Sequence, residues 1–144
     1  MNSGDHPLVG TWKLRSSTLK DVESGEESHT FGLHPTGFLN YSPDGRVMVV
    51  MVGDNRKPPS GPAPTDAEMI AWFQSTLAYA GRYTVEGNQV THHVEASSDP
   101  LRVGARLVRS FRFDGKVLRL TGPPTRYWMN GRVSVLTIVW ERLA

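Results

Sequence analysis

The residues best suited to chemistry in this chain are two adjacent histidines, an arginine in an apolar strand and three tyrosines. His92 and His93 are neighbours, and neighbours on a strand point to opposite faces, so they cannot ligate one metal ion. Neither has a second histidine two positions away, and no metal site is expected. His92 shares its face with Val90 and Val94 and is expected to look inward, whereas His93 falls with Thr91 and Glu95 on the wet face. An inward imidazole in an apolar interior can donate a hydrogen bond to a ligand or act as a general acid or base, because its charge changes near neutral pH. It can equally be a core histidine satisfied by a neighbouring hydroxyl such as that of Tyr83.

Arg109 alternates with Leu107, Phe111 and Phe113, so it enters the interior if they do. A buried guanidinium keeps its charge and needs a carboxylate, carbonyl or phosphate partner. Supplied by a ligand, that partner would be an acid or an enolate. The alternative is that Arg109 snorkels out near the strand end or pairs with an acid of the protein. Tyr41, Tyr79 and Tyr83 fall in phase with Leu39, Gly81 and Val85, so they can line the same space with aromatic surface and a hydroxyl handle, although core packing alone would also explain them. Trp72 joins the candidate ligand-binding set from a helix, while Asn40 and Trp128 are read as structural.

Other chemistry is poorly supported. Asp44, Glu86 and Asp114 sit at turns, and Glu95 and Glu141 fall on the outer face, which leaves no paired-carboxylate site. The sequence contains no Gly-x-Ser-x-Gly elbow, phosphate-binding loop or dinucleotide fingerprint, and no cofactor is expected. With no cysteine, disulfides, zinc thiolates and thiol catalysis are excluded. Lys and Arg number 16 against 14 Asp and Glu, a net charge of +2, and the basic residues are scattered rather than gathered in the stripe that nucleic acid requires. Nothing approaches the roughly 20 apolar residues that span a bilayer. Met1 to Pro7 is polar, without a basic start and apolar stretch, and a cytoplasmic location is expected.

The elements that must position these residues are mostly strands. At 144 residues the chain is expected to form one domain over 1–144, burying roughly 68% of its unfolded surface. Gly10-Thr11-Trp12 opens the first strand, Leu8 to Leu19, with Leu8, Gly10, Trp12 and Leu14 on one face. A short strand near His29 to Phe31 is an option. Phe38 to Ser42 and Arg46 to Val52 pair across the Ser42-Pro43-Asp44-Gly45 turn. The stretch 54–64 holds four prolines and one glycine, which predicts an exposed connection. It runs into Thr65-Asp66-Ala67-Glu68, a capping box, and a short helix whose stripe is Met69, Trp72, Phe73, Thr76, Leu77 and Ala80. Strands follow at Ala80 to Val85, Gln89 to Ala96, Ala105 to Phe113, Lys116 to Leu120 and Arg132 to Leu143. The pattern predicts an all-β fold, an eight-stranded antiparallel up-and-down barrel with one short α-helix, wide enough for side chains or one small ligand. Trp12 is expected to plug one end, with Arg142 of Trp140-Glu141-Arg142 over its indole, so Gly10, Trp12 and Arg142 are structural. Val47 to Val52 and Val133 to Val139 are apolar on both faces, which requires a cover: the helix for one and a second subunit for the other, raising homodimerisation as a hypothesis.

Taken in order, Leu8-Val9-Gly10-Thr11-Trp12-Lys13-Leu14, Pro35-Thr36-Gly37-Phe38-Leu39, Tyr41-Ser42-Pro43-Asp44-Gly45-Arg46, Tyr79-Ala80-Gly81-Arg82-Tyr83-Thr84-Val85, Val90-Thr91-His92-His93-Val94-Glu95 and Val139-Trp140-Glu141-Arg142 resemble a lipocalin-type barrel, and more closely the bacterial lipocalin-like domain family. The resemblance covers nearly the whole chain. It implies a closed calyx with an apolar interior and no single established activity. His34 departs from the asparagine more usual in its turn, and the proline-rich loop is this chain's own.

Two functions are expected on these grounds. The first is binding of a small, largely apolar molecule in the barrel, oriented by His92, Arg109 and the tyrosines. The alternative is a cofactor-free enzyme of cyclase, isomerase or lyase type, in which His92 is the acid or base and Arg109 stabilises an oxyanion. Protein interaction through the apolar strands is a third reading that leaves the inward polar groups unexplained.

Overall fold

The barrel closes on its first strand. In the computed structural model, which describes residues 6–143, β1 (Gly10–Asp21) pairs antiparallel with β3 (Thr36–Tyr41) on one side and β10 (Val133–Arg142) on the other. Residues 1–5 of the polar start and Ala144 lie outside the described residues. Between β3 and β10 run β4 (Arg46–Val52), β5 (Thr76–Glu86), β6 (Gln89–Ser97), β7 (Arg106–Asp114) and β8 (Val117–Thr121), each antiparallel to its neighbour. Eight strands thus form the expected closed ring. Two short ones are additional: β2 (Glu27–His29) lies on β1, and β9 (Thr125–Arg126) lies on β10.

Alternation fixes the core. Trp12, Leu14, Leu39, Tyr41, Val47, Val49, Met51, Tyr83, Val90, Leu118, Leu120 and Trp140 are buried from successive inward positions. The alternation is not continuous along β1. A register shift between Leu14 and Ser16 moves the inward positions from even to odd numbers, so Ser17, Leu19 and Asp21 are buried after it. Strand boundaries elsewhere fall within a few residues of expectation, except that β5 begins at Thr76 rather than Ala80.

The helix α1 (Asp66–Gln74) starts as the sequence predicts: the Thr65 side chain accepts from the Glu68 N–H, and Glu68 accepts from the Thr65 N–H at 2.8 Å. It ends earlier than the apolar stripe implied. Thr76, Leu77 and Ala80 belong to β5, and no helix residue is buried, with Met69, Ile70 and Phe73 exposed. Nor does the helix bury the outer face of β4, where Met48 and Val50 remain exposed. Among the described residues no helix is long and apolar enough to cross a membrane.

The middle of β5 requires close approach. β6 carries a register irregularity opposite Ala80 and Gly81, and a Cβ on Gly81 would fall on the His93 carbonyl oxygen. Backbone cannot yield there as a flexible side chain would. Gly81→Ala is expected to destabilise the fold by about 2–3 kcal/mol, read as a lowered urea midpoint; a loss below about 0.5 kcal/mol would show that the two strands can separate freely at this point.

Candidate functional site

His92 lies at the centre of a buried aromatic cluster. β6 points it inward, and it is 2% exposed. The Tyr41 hydroxyl from β3 is 2.6 Å from Nε2, and the Tyr79 hydroxyl from β5 is 2.6 Å from Nδ1, so both ring nitrogens are engaged. Tyr83, the neighbour expected to satisfy His92, donates instead to the Ser42 carbonyl at 2.8 Å, while its ring packs edge-on against Tyr41. His93 faces outward as expected, its Nε2 3.0 Å from the Thr84 hydroxyl.

Burial sets the protonation states. It pushes His92 down to about 3, helped by the nearby Arg109 charge and by His93, so the imidazole is neutral. Tyr79 is raised to about 12 by burial, against the opposing pull of Arg109 and Arg102. Tyr41 is held well above the usual phenol range, again chiefly by burial. The hydrogen inventory then orders the chain of bonds. The Tyr41 hydroxyl has His92 as its hydrogen-bond partner, and stranding its hydrogen in the core would cost about 1–3 kcal/mol. Tyr41 therefore donates to Nε2, Nδ1 carries the ring proton, and Nδ1–H donates to the Tyr79 oxygen. The Tyr79 hydrogen is then not used by His92, and Tyr79 borders an interior space.

That space is a cavity of about 60 Å³ inside the barrel. Its walls are mainly apolar, including Leu39, Val49, Met51, Leu77, Leu120 and Ile138. Phe31, Tyr127 and Met129 also line it, and Met129 is 44% exposed, which places the mouth at this end, opposite Trp12. The volume is well below the roughly 300 Å³ or more that encloses a drug-sized molecule. A ligand must therefore be slender, or part the side chains at the mouth.

Arg109 lines the cavity from β7, as the alternation of its strand predicts. Its guanidinium donates to the Val108 carbonyl at 3.1 Å and faces Gly122, where an added Cβ would meet Nη1 at 3.3 Å. None of the ion pairs found among the described residues involves it: Glu95 pairs with Arg46 and Arg82, Glu141 with Arg15, Asp99 with Arg102, and Asp21 and Glu26 with Arg132. Arg109 is thus half-buried, and the expected alternative of a protein acid as its partner is not found among the described residues.

The structure brings Tyr79, His92 and Arg109 to the cavity together. Tyr41 and Tyr83 stand behind His92, in its supporting layer rather than on the wall. Trp72 belongs elsewhere: its indole N–H donates to the Lys57 carbonyl at 3.0 Å and ties the proline-rich loop to α1. Asn40 links Thr11 and Ser42, and Trp128 is largely exposed. Two further wall residues were not singled out in the sequence. Arg102 enters from the turn of 3-10 helix Pro100–Arg102, with a buried Nε that lacks a hydrogen-bond partner and an Asp99 carboxylate 3.9 Å away. Trp140, 1% exposed, has an indole N–H without a partner. Asp99-Pro100 marks a capped turn in the sequence, but no periodicity tells that such a turn folds over a barrel mouth. Trp140 was legible only as a member of the closing motif.

A lipocalin-like protein from Bacteroides uniformis, known from its crystal structure, is 13% identical, with a TM-score of 0.48 over 94% of this chain and 98% of the other. No curated protein matches the chain. The sequence model of the lipocalin-like domain matches residues 9–143, from the first barrel strand to the last. The chain therefore belongs to the lipocalin-like domain family.

Proposed function

We propose that the protein binds a small, largely apolar molecule in its barrel, with the polar end of that molecule held by Tyr79 and Arg109 and with His92 fixing Tyr79 from behind. The observation that carries this reading is a half-buried arginine with no carboxylate partner among the described residues, set in the wall of a mainly apolar cavity that reaches the surface. A charge kept in such a place without a protein counterpart is costly unless something in the cavity meets it.

Native mass spectrometry of gently purified protein, before and after organic extraction, tests it. An extra mass that leaves on extraction is expected. Protein that stays at its apo mass, and that takes up none of a panel of small amphiphiles, would overturn the reading.

A cofactor-free cyclase, isomerase or lyase using the same cavity is the second reading. It is favoured by one observation, the set of hydrogen-bond donors aimed at one space, which is what stabilises a developing oxyanion. In it Arg109 keeps its assigned role. For His92 to serve as the acid or base, its proton affinity would have to rise from about 3 towards the working pH when substrate is bound. A proton passed through Tyr79 would also have to be replaced from Tyr41, whose ionisation burial opposes. These costs rank binding first.

A further inference from the structure

We infer that the cavity selects an organic anion, a carboxylate on a slender apolar body, received by Arg109, Arg102, the Trp140 indole N–H and the Tyr79 hydroxyl. The inference rests on the reading that the barrel interior binds a small molecule, and it goes on to name the chemical class.

Four polar groups of the wall have hydrogens to give and nothing among the described residues to take them. They are the Arg109 guanidinium beyond its bond to Val108, the Arg102 Nε, the Trp140 Nε1 and, through the ordered Tyr41–His92–Tyr79 chain, the Tyr79 hydroxyl. The other polar wall residues are Ser17, Thr30, Tyr127 and His92, all uncharged; the Thr30 hydroxyl donates to Ser17 Oγ at 2.6 Å, and both His92 nitrogens are engaged by tyrosines. The two charged groups of the wall, Arg102 and Arg109, are donors only. An alcohol or amide would leave the guanidinium charge unbalanced, and an amine would add a positive charge beside two guanidiniums. A carboxylate brings two oxygens with about four lone-pair directions and no hydrogen.

Charge points the same way. Asp99 lies 3.9 Å from Arg102, and no carboxylate among the described residues pairs with Arg109, so the walls carry one positive charge more than the nearby acids balance. One monoanion would neutralise it, with charge-assisted bonds to a planar guanidinium. The small interior volume fits a head group, while an apolar chain can pass outward between Phe31, Tyr127 and Met129.

Titration calorimetry at pH 7.5 with octanoate, octanol and octylamine tests the inference, because the three share one chain and differ only in the head group. Octanoate is expected to bind at least tenfold more tightly than octanol, and octylamine most weakly. Arg109→Gln should remove the preference for octanoate while leaving octanol binding nearly unchanged, and Arg119→Gln, on the exposed outer face of β8, should change neither. Should Arg109→Gln fail to fold, Arg102→Gln is expected to reduce the same preference. Equal binding of octanoate and octanol would overturn the anion inference and leave the binding barrel standing. Equal loss of both in Arg109→Gln would overturn it too, by showing a merely structural arginine. Binding of none of the three would overturn the underlying reading and the inference with it.

Discussion

Trp12→Ala is expected to destabilise the protein by about 3–5 kcal/mol, lowering the unfolding midpoint by about 10–15 °C for a domain of this size. The indole is fully buried at the closed end of the barrel. Its N–H donates to the Leu8 carbonyl at 2.9 Å, and its ring packs 6.0 Å from Phe113. Truncation opens a void at a place where three segments meet, and strand pairing of β1 with both β3 and β10 limits how far they can collapse into it. The Arg142 guanidinium, 4.1 Å above the ring, would also lose its platform. That arginine still donates to the carbonyls of Val9 and Pro7, so Arg142→Ala is expected to cost less, about 1–2 kcal/mol. Urea unfolding monitored by circular dichroism measures both losses. Octanoate affinity at moderate temperature should be preserved in Trp12→Ala, because Trp12 does not line the cavity. A loss below about 1 kcal/mol would show that the barrel end closes without its plug.

The plug was legible because two short motifs at opposite ends of the chain, Gly10-x-Trp12 and Trp140-Glu141-Arg142, become neighbours once the last strand pairs with the first. The inward placement of His92 and Arg109 was legible for a similar reason: each sits in an uninterrupted two-residue alternation. Alternation failed where the backbone itself changes register. The irregularity after Leu14 turns Ser17 and Asp21 inward, and no side-chain pattern announces it. The helix stripe failed through aliasing, since Met69, Trp72, Phe73, Thr76, Leu77 and Ala80 match helical spacing although the last three occupy a strand. The partners of His92 were misread through side-chain length. Tyr83 stands directly across from His92 in the β5–β6 pairing, yet a tyrosine hydroxyl lies a full ring length from its backbone and reaches past the opposite residue. The hydroxyls that do reach His92 come from Tyr79, further along β5, and from Tyr41 across the barrel. The unpartnered hydrogens of Arg102 and Trp140 were beyond any sequence pattern, because they are defined by what three-dimensional packing leaves without an acceptor.

Stability is expected to fall by on the order of 3 kcal/mol between pH 7.5 and pH 4 through His92 alone. In the unfolded chain this imidazole takes up a proton near its ordinary 6.5, whereas burial holds it at about 3 in the fold. Between those values the unfolded state binds a proton that the native state refuses, so acid favours unfolding by about 1.4 kcal/mol per pH unit. Above about 6.5 both states are neutral at this site, and its contribution is constant. His93 and His6 are also lowered by burial and act in the same direction. Asp21 and Glu68, lowered chiefly by backbone hydrogen bonds from Ser24 and from Thr65, lose their contributions only as pH drops below the ordinary carboxylate range. Above pH 4.5 the His92 window therefore stands apart from theirs. His92→Gln should reduce the slope of unfolding free energy against pH by about one proton between pH 4.5 and 6, whatever its effect on overall stability. The alkaline side mirrors this. Tyr41 and Tyr79 keep their protons in the fold above pH 10, where the unfolded chain loses them, so stability should decline again from about pH 10 towards 12, and Tyr79→Phe should remove part of that decline. A free energy that stays flat from pH 7.5 to 4.5 would mean that His92 accepts a proton within the fold. An imidazole so placed could serve as the acid or base of the enzymatic reading, and the order of the two proposed functions would reverse.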